Sequence, residues 1–160
     1  MRIYLPSTFP GLAEVLDSGG LGEPPLTAFA VTERLAGPQG AQDDEELEYE
    51  ALSCAADASL RLLSADPAAP RRRAVLAVEA PDAAVGPAGD HAGHPAAVVV
   101  TATLALKRVA AVHVDAPDAE DAVAAAAADG PAHGGETGAP AEHELLWYAT
   151  QELPYLLGRS

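Results

Sequence analysis

Residues 98–106 alternate without a break: Val98, Val100, Ala102, Leu104 and Leu106 fall on one side of an extended backbone, and Val99, Thr101, Thr103 and Ala105 on the other. Side chains along a strand point to opposite faces in turn, so this pattern predicts a β-strand with one face toward a core. A strand needs partners, and the chain supplies them. Residues 2–5 set Ile3 and Leu5 against Arg2 and Tyr4, residues 73–79 put Ala74, Leu76 and Val78 on one face, and 27–32 and 109–114 also read as strands. The sheet expected from these segments has about four to five strands.

Helical spacing fills much of the remainder. Thr8 caps a first helix that tolerates Pro10 in its opening turn, repeats Phe9, Leu12, Val15 and Leu16, and ends at Gly19-Gly20. Asp43 or Asp44 opens the strongest helix, which runs to about Ser64. Its apolar stripe is Leu47, Ala51, Leu52, Ala55, Ser59, Leu62 and Leu63, with small residues that permit close approach to a sheet. An alanine-rich helix is predicted from about Asp118 to Ala128 and a last one from about Glu142 to Leu153. The Gly/Pro-rich stretches 81–96 and 129–141 read as flexible loops. The expectation is an α+β fold, a single mixed β-sheet covered by about four helices, in one globular domain over residues 1–160.

Charge limits the partners. Among 160 residues, 24 Asp and Glu stand against 9 Lys and Arg, a formal net charge of −15. Such an excess repels a phosphate backbone and an anionic lipid surface, so neither nucleic acid nor membrane is expected as a partner. Residues 96–106 reach about half the ~20 apolar residues of a membrane-spanning helix, and the N-terminus lacks the pattern of a secretory leader. A soluble cytoplasmic protein is expected. Cys54, the single cysteine, excludes an internal disulfide and reads as a small core residue rather than a nucleophile.

Few residues advertise chemistry. The phosphate-loop, nucleophile-elbow and dinucleotide signatures are missing, and His143-Glu144 is not a zinc-protease helix because Trp147 stands where the second histidine belongs. His113 and Asp115, two apart on a strand, share a face and could polarise one another or offer two metal ligands. Asp115 also precedes Pro117, Asp118, Glu120 and Asp121, which reads more simply as a helix cap with an acidic first turn. His91 and His94 lie in a loop of Gly, Ala and Pro and read as incidental. Ser7 and Thr8, at a strand-to-helix turn, could meet a small anion, though capping explains them as well. Arg71, Arg72 and Arg73 could grip a carboxylate or phosphate, or simply neutralise the protein's own acids.

In the last helix, steps of about 100° gather Leu145, Leu146, Ala149, Leu153, Leu156 and Leu157 in one stripe, flanked by Tyr148 and Tyr155. Trp147 falls nearly opposite. Burial by a second neighbour is the simpler reading; the other is that, with Tyr148, it forms an exposed aromatic patch that anchors a partner.

The segments RIYLP at Arg2, AFAVT at Ala28, DEELEYEAL at Asp44, VAAVHVDAPDAED at Val109 and HELLWYATQEL at His143 together resemble a family of short proteins of high-GC Gram-positive bacteria labelled only as a domain of unknown function. The resemblance covers most of the chain and implies a discrete single domain. It implies no activity, substrate or cofactor. The residues themselves favour a small acidic binding or interaction module, with a protein partner or self-association, no cofactor and no catalysis, and with His143, Trp147 and Tyr148 as the contact surface. The alternative is a metal-assisted or acid–base enzyme using His113, Asp115 and His143. Small-anion binding by Arg71, Arg72 and Arg73 ranks third.

Overall fold

The computed structural model describes residues 1–32, 44–88, 95–129 and 145–158. Strands β1 (Arg2–Ser7), β2 (Leu26–Phe29), β3 (Ala74–Glu79), β4 (Val85–Pro87), β5 (Ala97–Val100), β6 (Val109–Val114) and β7 (Leu146–Ala149) form one sheet in the order β4-β5-β2-β1-β3-β6-β7. Helices α1 (Phe9–Ser18), α2 (Asp44–Ala65), α3 (Glu120–Asp129) and the single turn α4 (Leu153–Leu156) accompany it. The α+β class and the number of helices, four among the described residues, match expectation. The sheet does not: it has seven strands rather than four to five, and every pairing is antiparallel rather than mixed.

Both extra strands come from misread segments. The stretch 81–96 was expected to be loop, yet Asp82–Ala84 forms a 3₁₀ turn and Val85–Pro87 pairs with β5. In place of a helix over residues 142–153, Leu146–Ala149 pairs with β6, Thr150–Glu152 makes a 3₁₀ turn, and Pro154 opens α4 instead of ending a helix. Leu146, Trp147 and Tyr148 at an open sheet edge gain more from pairing than from a helical stripe, a tertiary override of local periodicity. The alternating segment 98–106 also leaves the sheet early. After Val100, Thr101 donates its N–H to Ala84 O, and Ala105 bridges to Gly20 beside the end of α1, leaving Ala102 exposed while Leu104 stays buried.

The strongest local signals hold. Thr8 Oγ1 accepts the Gly11 N–H at 3.2 Å, and Gly19, at φ 76°, closes α1 with its N–H on Val15 O. The α2 stripe buries Leu47, Ala51, Ala55, Ser59 and Leu63 as read, but Leu60 turns inward against α3 while Leu62 is exposed.

The sheet is sandwiched. One face carries Ile3, Leu5, Leu76, Val78, Val112 and Val114 beneath Leu12 and Val15 of α1 and Leu153 of α4. The other carries Tyr4, Phe29, Val75, Ala77 and Ala111, and the small residues Ala51, Ala55 and Ala56 seat α2 on it. Tyr4 is therefore buried, where the alternation of residues 2–5 suggested an outward face. Among the described residues no helix is long and apolar enough to cross a membrane.

Candidate functional site

The arginine run is built into the fold. Arg71 turns its guanidinium onto Leu63 O and Ala69 O at 2.9 Å, and onto Asp66 O, tying the end of α2 to the turn that follows it. Arg72 places its guanidinium 4.7 Å from the Phe9 ring centroid and donates from Nε to Asp115 O at 2.9 Å. Arg73 is buried against Asp115. Its Nε and Nη2 reach the two carboxylate oxygens and its backbone N–H adds a third bond, each at 2.9 Å. Asp115 is 0% exposed and caps no helix: Ala116 holds the cap position of the following 3₁₀ turn, which has no side-chain cap. The carboxylate that spacing suggested as a cap or ligand is instead the buried anion of a forked ion pair.

His113 has other company. Asp115 donates its N–H to Arg73 O, which extends the β3–β6 ladder and fixes its phase. Ala111 and His113 thus turn their backbone groups toward β3, and Val112 and Val114 turn theirs toward β7. The His113–Trp147 pair is consequently a non-hydrogen-bonded one, the kind that brings facing side chains closest. On its other side the His113 ring meets Tyr4 edge-on, with centroids 6.5 Å apart at 61°. Tyr4 hydrogen-bonds Glu48 of α2 through its hydroxyl. Burial, then the Glu48 contact, raises the Tyr4 pKa above the usual phenol range; burial, then the nearby Arg2 charge, lowers that of His113. Tyr4, His113 and Trp147 thus form an aromatic strip that leads from beneath α2 to the sheet edge. The alanines Ala77, Ala111 and Ala149 line up beside it across β3, β6 and β7.

Trp147 ends that strip 62% exposed. Tyr148 is its neighbour in sequence but not in space: on a strand the two point to opposite faces, and Tyr148 packs against the core on the α1 side. The pair therefore does not form one aromatic patch, because the helix that would have set them side by side is a strand. His143, His91 and His94 lie outside the described residues, as do residues 130–141 of the second loop. Among the described residues no three His, Cys, Asp or Glu side chains gather as a metal site.

Thr8 serves as the cap of α1, and Ser7 Oγ lies 3.3 Å from Thr8 O. Cys54 sits in α2 against the second core face, where burial, followed by Asp57 and Glu50, pushes its thiol up to about 11. A cleft of about 590 Å³ opens on the opposite face between β1, α1 and the chain leading into β2, with Leu5, Leu26 and Leu76 in its lining and Glu14 and Asp17 beside them. The contributions of Tyr4 and Glu48 escape sequence reasoning. An aromatic alternating with Ile3 and Leu5 was the available signal, and it says nothing of a carboxylate 44 residues away.

No curated protein and no protein of solved structure matches the chain. A family of unknown function, DUF6912, matches residues 1–157, and the chain belongs to that family.

Proposed function

We propose that this protein is a small, soluble, cytoplasmic binding module without catalytic activity, and that it engages a protein partner through the sheet edge at Trp147. One observation carries the reading: the chain's single tryptophan stands 62% exposed on an edge strand, at the end of a strip otherwise packed into the fold. Large aromatics are expensive to leave in water and are enriched among residues that anchor interfaces. Tyr148 supports the strand from the opposite face rather than making contact itself. The enzyme alternative has less behind it, since both Asp115 oxygens already serve Arg73 and His113 packs against the Tyr4 ring.

The test is site-specific photo-crosslinking in cells, with a photoreactive phenylalanine placed at 147 and, as a control, at Tyr49, which is also exposed but on α2. A discrete adduct from position 147 that is absent from position 49 is expected. The same adducts from both positions, or none from 147, would end the proposal.

A further inference from the structure

We infer that the outer edge of β7 takes an extended, basic segment of another protein as an eighth strand. This deepens the reading of Trp147 as a contact and rests on it. The ladder phase that pairs Leu146 and Tyr148 with β6 turns the N–H and C=O of Trp147 and Ala149 away from it. The Ala149 N–H confirms that direction, because it donates at 3.3 Å to the Glu152 carboxylate, outside the ladder. Trp147 therefore presents one donor and one acceptor along the rim, the spacing into which a further strand docks.

Protection of the two edges differs. At the far edge, β4 is three residues long and contains Gly86 and Pro87, features that blunt a strand against pairing. β7 reads Leu-Trp-Tyr-Ala, with no proline, glycine or charge. It flanks its free backbone groups with exposed apolar side chains on either face, Trp147 on the α2 side and Leu146 on the α1 side. An incoming strand would cover both.

The charge of the occupant follows from the charge of its seat. From Val109 to Gly158, the stretch that supplies β6 and β7, the sequence contains no Lys or Arg, and Glu152 sets its carboxylate at the edge itself, on the Ala149 N–H. A second copy of a chain carrying −15 would bring like charge to this edge, whereas a segment alternating apolar residues with Lys or Arg complements it.

Trp147 is its own reporter. The full-length protein is titrated with a capped synthetic peptide of alternating Lys and Val, about eight residues long to span the strand and its flanks. Controls are the same peptide with a central proline and a Glu–Val counterpart. A saturable blue shift of the tryptophan emission is expected with the Lys–Val peptide alone. Leu146→Lys, which leaves the reporter in place, should weaken binding by at least about tenfold, since a lysine both blunts the edge and repels the peptide.

Equal binding of the proline-interrupted peptide would overturn the inference, because attraction without strand pairing would then suffice. So would a concentration-dependent dimer whose dissociation moves the emission, since a second copy would then own the edge, or the absence of any peptide-induced shift. Crosslinking from position 147 would survive those outcomes, so failure of strand addition is distinguishable from failure of Trp147 as a contact.

Discussion

At Asp115 three hydrogen bonds from one arginine hold a carboxylate that water does not reach. Pulling one partner out of a buried pair leaves the other charge without compensation, at a cost of about 3–5 kcal/mol. Asp115→Ala is expected to lose that much in urea unfolding followed by circular dichroism. The double replacement Arg73→Met with Asp115→Leu should recover most of it, because removing both charges removes the desolvation cost as well. His113 titrates in the opposite sense to a salt-bridged histidine. Its folded pKa lies below its ordinary value, so the unfolded chain binds the proton more readily. The His113 contribution to stability is complete above about pH 6.5, the unperturbed value, and is lost as pH falls from there toward the depressed folded value. Unfolding free energy measured across that window should drop with acidification more in the native protein than in His113→Gln, the comparison that cancels every other titrating group.

At the scale of elements, one hydroxyl holds three together. Ser59, fully buried in α2, donates to Ser7 O at the end of β1 at 2.7 Å and accepts the Ala74 N–H at the start of β3 at 3.0 Å. Ser59→Ala removes two buried hydrogen bonds, each worth about 0.5–1.5 kcal/mol, and a loss of about 1–3 kcal/mol is expected by chemical denaturation. Ser59 was legible as a member of the α2 stripe, since helical spacing reports which face is buried. Its hydrogen bonds were not, because both partners lie in other elements. The same division separates α1 from β7. Thr8, Pro10 and Gly19 are local punctuation whose effect depends on the backbone beside them, so α1 is readable from end to end. Leu146–Ala149 has no such marks, and its pairing with β6, 32 to 38 residues earlier, overrode the helical periodicity read along the segment. Trp147 stood out only as lying off the stripe of a helix, where burial by a second neighbour was the simpler reading: a helix would have made it a neighbour of Tyr148, whereas the strand pairs it with His113 and leaves it exposed.

Over the whole molecule, the net charge of −15 acts as a uniform strain on compactness. Raising ionic strength from roughly 0.01 to 0.15 M shortens the screening length from about 30 to about 8 Å, which relieves that repulsion. The melting temperature is expected to rise over this range by differential scanning calorimetry, whereas net stabilisation by surface ion pairs would make it fall. By itself the sequence determined the α+β class, the positions of α1, α2, β3 and β6, and most of the apolar face that α1, α2 and β3 turn to a core. All of these follow from periodicity and capping within a few residues. The tertiary structure alone decided the strand order, the antiparallel pairing throughout, the addition of β4 and β7, and the meeting of Arg73 with Asp115 and of Tyr4 with His113. Those depend on contacts between residues dozens of positions apart. A local pattern can state that a face must be buried, but the partner that buries it is chosen by the packing of the whole chain.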